Sequence, residues 1–106
     1  MIKHIVLLKF KANVTPNKIN SAFQQLGNLK SLIPSMSHFS FGENCSPEDL
    51  NKGFTHAFTM EFKDIQGRDA YLNHPEHIRI AQDIIVPLLE NGLESALTLD
   101  YEALSL

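Results

Sequence analysis

Tryptophan is absent from this chain, and cysteine occurs once, at Cys45. A single cysteine rules out an internal disulfide, and with it the disulfide-stapled secreted scaffolds. The expectation is a reducing, cytoplasmic setting. Cys45 sits in a polar loop with no histidine beside it in sequence, so it is not read as a nucleophile. Basic runs are missing too: 9 Lys and Arg face 12 Asp and Glu, for a formal net charge of −3. A nucleic-acid partner needs clustered positive charge, so none is expected. The apolar runs are far shorter than the roughly 20 residues that span a bilayer, so no membrane partner is expected either. The N-terminal MIKHIVLLKF has no small-residue cleavage site after it and reads as a first strand. No glycine-rich phosphate loop and no Gly-x-Ser-x-Gly occurs.

What is present fits one globular domain over residues 1–106. The chain is 43% hydrophobic and 20% charged, close to an average folded protein. At this length one core suffices without a wide margin, and association with another chain would bury more apolar surface.

Residues 2–10, IKHIVLLKF, alternate as a strand. Ile2, His4, Val6, Leu8 and Phe10 share one face, and Lys3, Ile5, Leu7 and Lys9 share the other. Both faces are apolar at the centre, so both should be covered. Thr15-Pro16 opens a helix, with Ile19, Ala22, Phe23, Leu26, Leu29 and Ile33 as its apolar stripe and Pro34 as its end. Gly27 inside it is costly unless it permits a close approach. A second strand is expected over 36–44, with His38 an ordinary member. A polar loop follows over 45–53, in which Glu48 and Asp49, like the nearby Glu43, read as solvated charges. Residues 54–63 alternate, with Phe54, His56, Phe58, Met60 and Phe62 on one face. Asp64 caps a helix running to about Leu72. His74-Pro75 starts another, striped by Ile78, Ala81, Ile85 and Leu88, which Pro87 must end or kink. Gly92 turns the chain into a last strand over 93–102. The order β-α-β-β-α(α)-β predicts an α+β, ferredoxin-like βαββαβ domain with a four-stranded antiparallel sheet and helices on one face. A second copy of the chain is the simplest cover for the other sheet face, giving a homodimer through sheet faces.

Several stretches carry a resemblance to a known family: MIKHIVLLKFK, FTHAFTMEF, DAYLNHPEHIRIAQDIIVPLLE and LTLDYE. Together they span nearly the whole chain, and the chain resembles the stress-responsive A/B barrel (Dabb) domain proteins. The most specific piece is Tyr71-x-x-His74-Pro75-x-His77. The resemblance implies a dimeric α/β barrel with helices outside. One plant branch of the family is a cofactor-free polyketide cyclase that works by intramolecular aldol condensation. By that likeness Tyr71 and His77 are the candidate catalytic pair, and His4 and His56 the further pocket histidines. Val6, Leu8, Phe23, Leu26, Phe58 and Met60 form its apolar wall. Where that branch places aromatics in the first helix, this chain has Ala22 and Leu26.

Neighbouring first and third strands would bring His4 and His56 together at one strand end, beneath the helix that begins at Pro75. His77 in that helix's first turn is disfavoured as a cation by the helix dipole and by burial, which suits a general base. Tyr71 could donate a hydrogen bond to a developing enolate oxygen. The same residues also admit a structural reading. His74 is then an N-cap, His77 ties a helix to the backbone, Tyr71 packs with its hydroxyl at the surface, and His4 and His56 satisfy each other. No acidic residue or cysteine completes a metal set around the histidines, so neither metal nor cofactor is expected. Two functions stay open. One is binding of a small apolar carbonyl ligand between sheet and helices. The other is a cyclase-like lyase with His77 as base and Tyr71 as donor.

Overall fold

The structure is a computed structural model that describes residues 1–106. Four strands form one antiparallel sheet in the order β2-β3-β1-β4. They are β1 (Ile2–Leu8), β2 (Met36–Glu43), β3 (His56–Phe62) and β4 (Ala96–Glu102), and the helices are α1 (Pro16–Gly27), α2 (Ile65–Leu72) and α3 (Pro75–Ile80). This is the expected ferredoxin-like plan.

Each helix starts where its capping residue sits. The Thr15 side chain accepts from the Lys18 N–H, and that of Asp64 from the Gly67 N–H. His74 caps α3 by accepting the Glu76 N–H at its Nδ1, 3.1 Å away. Orphan amides at helix starts need such acceptors. Gly27 permits the close approach its cost demanded, because a Cβ there would meet the Phe39 ring at 2.9 Å.

The buried face of the sheet carries Ile2, His4, Val6, Leu8, Phe58, Met60 and Phe62. α1 lays Ile19, Ala22, Phe23 and Leu26 on it. No helix covers the opposite face: Leu97 is 45% and Leu99 58% exposed there, and they pair in register with Leu7 and Ile5.

Three local expectations change. The stripe of the third helix runs through His77, Ile80, Ala81, Ile84 and Ile85, all at least partly buried, while Ile78 points outward. One residue is about 100° of helix, so a stripe that holds Ile80 turns Ile78 out and His77 in. A π-type turn then spans Ala81–Ile85 ahead of Pro87, whose ring nitrogen has no proton to continue an α-helix. His38 is not an ordinary strand residue. It lies at a bulge between Ser37 and Ser40, with φ of 53°. Residues 92–95 form a short 3-10 turn that begins at Gly92 (φ 57°), and the last strand begins only at Ala96.

Candidate functional site

Tyr71 comes from the last turn of α2 and His77 from the first turn of α3, joined by the cap at His74. Their ring centroids are 4.2 Å apart. Tyr71 is fully buried, so its hydroxyl does not reach the surface. That hydroxyl has no hydrogen-bond partner in the protein. Burial alone pushes its pKa well above the ordinary value, so it is a proton donor and not a phenolate.

His77 spends Nδ1 on the Leu72 carbonyl, 3.2 Å away. A carbonyl only accepts, so Nδ1 carries the proton and Nε2 is left with its lone pair. Burial pushes the pKa of His77 below 6.5; the Leu72 bond opposes this, and His4 and His74 add to it. One ring nitrogen thus ties the helix to the backbone, and the other stays free as a base.

His4 is the third member. Its ring centroid is 5.8 Å from that of Tyr71. Its Nδ1 donates to Asp100 Oδ1 at 2.6 Å, and Asp100 Oδ2 accepts from Arg68 at 3.1 Å. Phe58 and Phe62 close the space around His4, and Met60 lies opposite it in register.

His56 does not join this group. β1 pairs His4 with Met60 and Leu8 with His56, so the two histidines are four register positions apart, about 13 Å along the strand. The antiparallel pairing that makes the strands neighbours also puts these residues at opposite ends. His56 packs on Phe10 and Phe23 and donates from Nδ1 to Thr55 Oγ1 at 2.9 Å, whose own proton goes to the Leu8 carbonyl. Burial lowers its pKa, partly countered by Glu43. Glu43 therefore is no loose loop charge; it ends β2 directly opposite His56.

The expected site residues thus divide into two groups. Tyr71, His77, His4 and Met60 gather at one end, while Leu8, Phe23 and His56 sit at the other. Val6 pairs with Phe58 between them, and Leu26 is buried within the stripe of α1. Open volume lies at the His56 end. A cleft of about 340 Å³ there is lined by Phe10, Val14, Ile19, Phe41, Glu43 and His56, among others. No cluster of three or more His, Cys, Asp or Glu residues is placed to hold a metal ion. Arg68 and Asp100 were missed from the sequence. The signal for Asp100 is an acid on the strand face that carries Ala96 and Thr98, in register with His4.

A family model described as Stress responsive A/B Barrel Domain matches residues 2–103. The chain belongs to the Dabb family. A Dabb relative, the stress-response A/B barrel domain-containing protein HS1 of Arabidopsis thaliana, is 33% identical over 98% of this chain and 91% of its own length. Olivetolic acid cyclase of Cannabis sativa is 29% identical over 73% of this chain and 76% of its own. Among solved structures, a dimeric ferredoxin-like protein of unknown function from Jannaschia superposes with a TM-score of 0.85 at 27% identity, covering 96% and 98% of the two chains. The hydroxynitrile lyase of Passiflora edulis does so with a TM-score of 0.81 at 25% identity, covering 94% and 90%. No helix of this Dabb chain is long and apolar enough to cross a membrane.

Proposed function

We propose that this Dabb chain works as a cytoplasmic homodimer that binds a small apolar carbonyl compound between sheet and helices. The carrying observation is the Tyr71 hydroxyl, buried without a partner. A buried donor left unmade is costly, and a carbonyl oxygen is the acceptor that repays it in apolar surroundings. Phe58, Met60 and Phe62 supply those surroundings. Because Tyr71 is wholly buried, the ligand enters by local opening of the α2–α3 junction. Dimeric neighbours of the same fold support the homodimer. The test is calorimetric titration with acetylacetone and its longer alkyl homologues. The wild type binds, and Tyr71→Phe loses about tenfold in affinity, the worth of one hydrogen bond. Equal binding by both proteins, or by neither, contradicts the proposal.

A second reading is favoured by the free Nε2 of His77. Here the same residues form the site of a cofactor-free lyase of the cyclase kind. His77 takes a proton from the carbon beside the carbonyl, and Tyr71 donates to the enolate oxygen. A cyclase and a lyase among the similar proteins support it. Deuterium exchange into those diketones, measured for wild type and His77→Gln, tests it. Catalysed exchange lost in the variant is expected; a rate equal to buffer with bound ligand leaves only the binding function.

A further inference from the structure

The sheet face that no helix covers is divided in two. Its β1–β4 half is apolar, with Ile5 and Leu7 in register with the exposed Leu99 and Leu97. Its β2–β3 half is polar and already paired: Ser40 and Thr59 share a hydrogen bond at 3.1 Å, and Lys3 of β1 reaches Glu61 at 3.0 Å. Only the apolar half calls for a cover. Two neighbouring strands about 20 Å long and about 4.8 Å apart offer a flat footprint of about 200 Å² per copy. A stable dimer buries roughly 800 Å² per partner. More of the surface must therefore join an interface between two copies.

Two apolar features stand unmatched at opposite ends of this face. At the Leu8 end the loop between β2 and β3 rises over it. Lys9 Nζ lies 4.6 Å from the centre of the Phe54 ring. Asn44, Leu50, Asn51 and Phe54 of the loop share a cleft of about 290 Å³ with Leu7 and Ala57 of the sheet. At the Ile2 end the chain leaves β4 with the Ala103 N–H donating to the Met1 carbonyl. Beyond it Leu104 is 89% exposed and Leu106 wholly exposed. These leucines cannot reach the cleft of their own chain. The length of β1, about 20 Å, lies between, and three extended residues span only about 10 Å.

We propose that two copies meet with their strands reversed, so that Leu104 and Leu106 of one copy fill the loop-walled cleft over Leu7 and Ala57 of the other. This rests on the homodimer reading and adds which way round the copies lie and which segment completes the interface. The projecting loop decides the order. A twofold axis along the strands puts both loops at one end, where they hold the apolar halves apart. An axis across the strands reverses one copy. Each loop then passes beyond the Ile2 end of the other sheet and receives the segment that follows β4 there. Leu50, 61% exposed in the single chain, gains cover from the same contact.

Cys45 supplies the probe for the test. It is exposed, and its neighbours Asn44 and Ser46 both line the cleft. The proteins compared are the wild type, Ser105→Cys, and Ser105→Cys combined with Cys45→Ser. Each is held at a concentration where sedimentation shows the dimer, oxidised with oxidised glutathione, and run on a non-reducing gel. A disulfide forms only where the Cα atoms come within about 7 Å. Ser105→Cys alone is expected to give a covalent dimer in most chains. The wild type has loop cysteines only and the double variant has tail cysteines only, so both stay uncrosslinked. A loop–loop or tail–tail bond places the axis along the strands and overturns the proposal. So does a dimer that forms no loop–tail bond, which leaves the cleft to another occupant while the homodimer stands. Leu104→Ser, without any cysteine change, weakens dimerisation about tenfold or more, as the loss of a buried leucine implies; unchanged association overturns the proposal as well. A wild type that sediments only as a monomer removes the homodimer reading and this inference together.

Discussion

Tyr71 and His77 lie ring against ring, 4.2 Å between centroids, and no hydrogen bond joins them. The histidine reaches back to the Leu72 carbonyl, and the phenol hydroxyl reaches nothing. A donor and a base are thus held side by side in an apolar wall without cancelling each other. Stability alone would not select that arrangement, because an unmet buried hydroxyl works against folding.

It follows that Tyr71→Phe stabilises the empty protein. Removing the unmet hydroxyl is worth about 1 kcal/mol, a rise in Tm of roughly 4–8 °C for a domain near this size. Thermal unfolding of both proteins without ligand measures it. A Phe variant that melts lower shows that the hydroxyl has a stabilising partner after all.

The pH dependence of stability has a defined sign. Native His77 and His56 both have pKa values below the ordinary 6.5, so the unfolded chain binds more protons as the pH falls through that range. Their contribution is constant above 6.5 and turns destabilising below it, until the native histidines are also protonated. Urea unfolding of the wild type and His77→Gln at about pH 7.5 and about pH 5.5 checks this. The acid-side loss is smaller in the variant. Equal losses would mean that His77 titrates alike in both states.

His74 supports the fold rather than the chemistry. His74→Ala removes the α3 cap and costs about 1 kcal/mol, while His74→Asn keeps an acceptor and recovers most of it. Diketone affinity is unchanged in both. A selective loss of binding in the Asn variant, at full stability, would make His74 part of the site.

The uncovered sheet face gives a fourth expectation. Leu99→Asp puts a charge among Ile5, Leu7 and Leu97 and converts the proposed homodimer to a monomer by sedimentation equilibrium, since a desolvated unpaired charge costs more than a rim contact returns. A wild type that is already monomeric at micromolar concentration removes the dimer from the account.

Much of this molecule is legible in the sequence, for identifiable reasons. Thr15, Asp64 and His74 announce helix starts through local hydrogen bonds, and β1 and β3 announce themselves by alternation. These are short-range signals. What escapes is set by register and by helix phase. The separation of His4 from His56 depends on which residue of β1 meets which residue of β3. Asp100 and Arg68 come from distant parts of the chain and meet only once β4 has paired with β1. The inward turn of α3 is occupied by His77, and a search for apolar stripes passes over a histidine to pick Ile78. The candidate pair Tyr71 and His77 is legible because both lie in one short run, whereas His4, Asp100 and Arg68 do not.

A high-resolution crystal structure of the protein soaked with acetylacetone, compared with the unsoaked crystal, tests the central claim most directly. The account predicts a carbonyl oxygen about 2.7 Å from the Tyr71 Oη, with His77 Nε2 facing the carbon between the carbonyls. A Tyr71 hydroxyl that keeps an internal water while the diketone sits in the cleft beside His56, or binds nowhere, would contradict it.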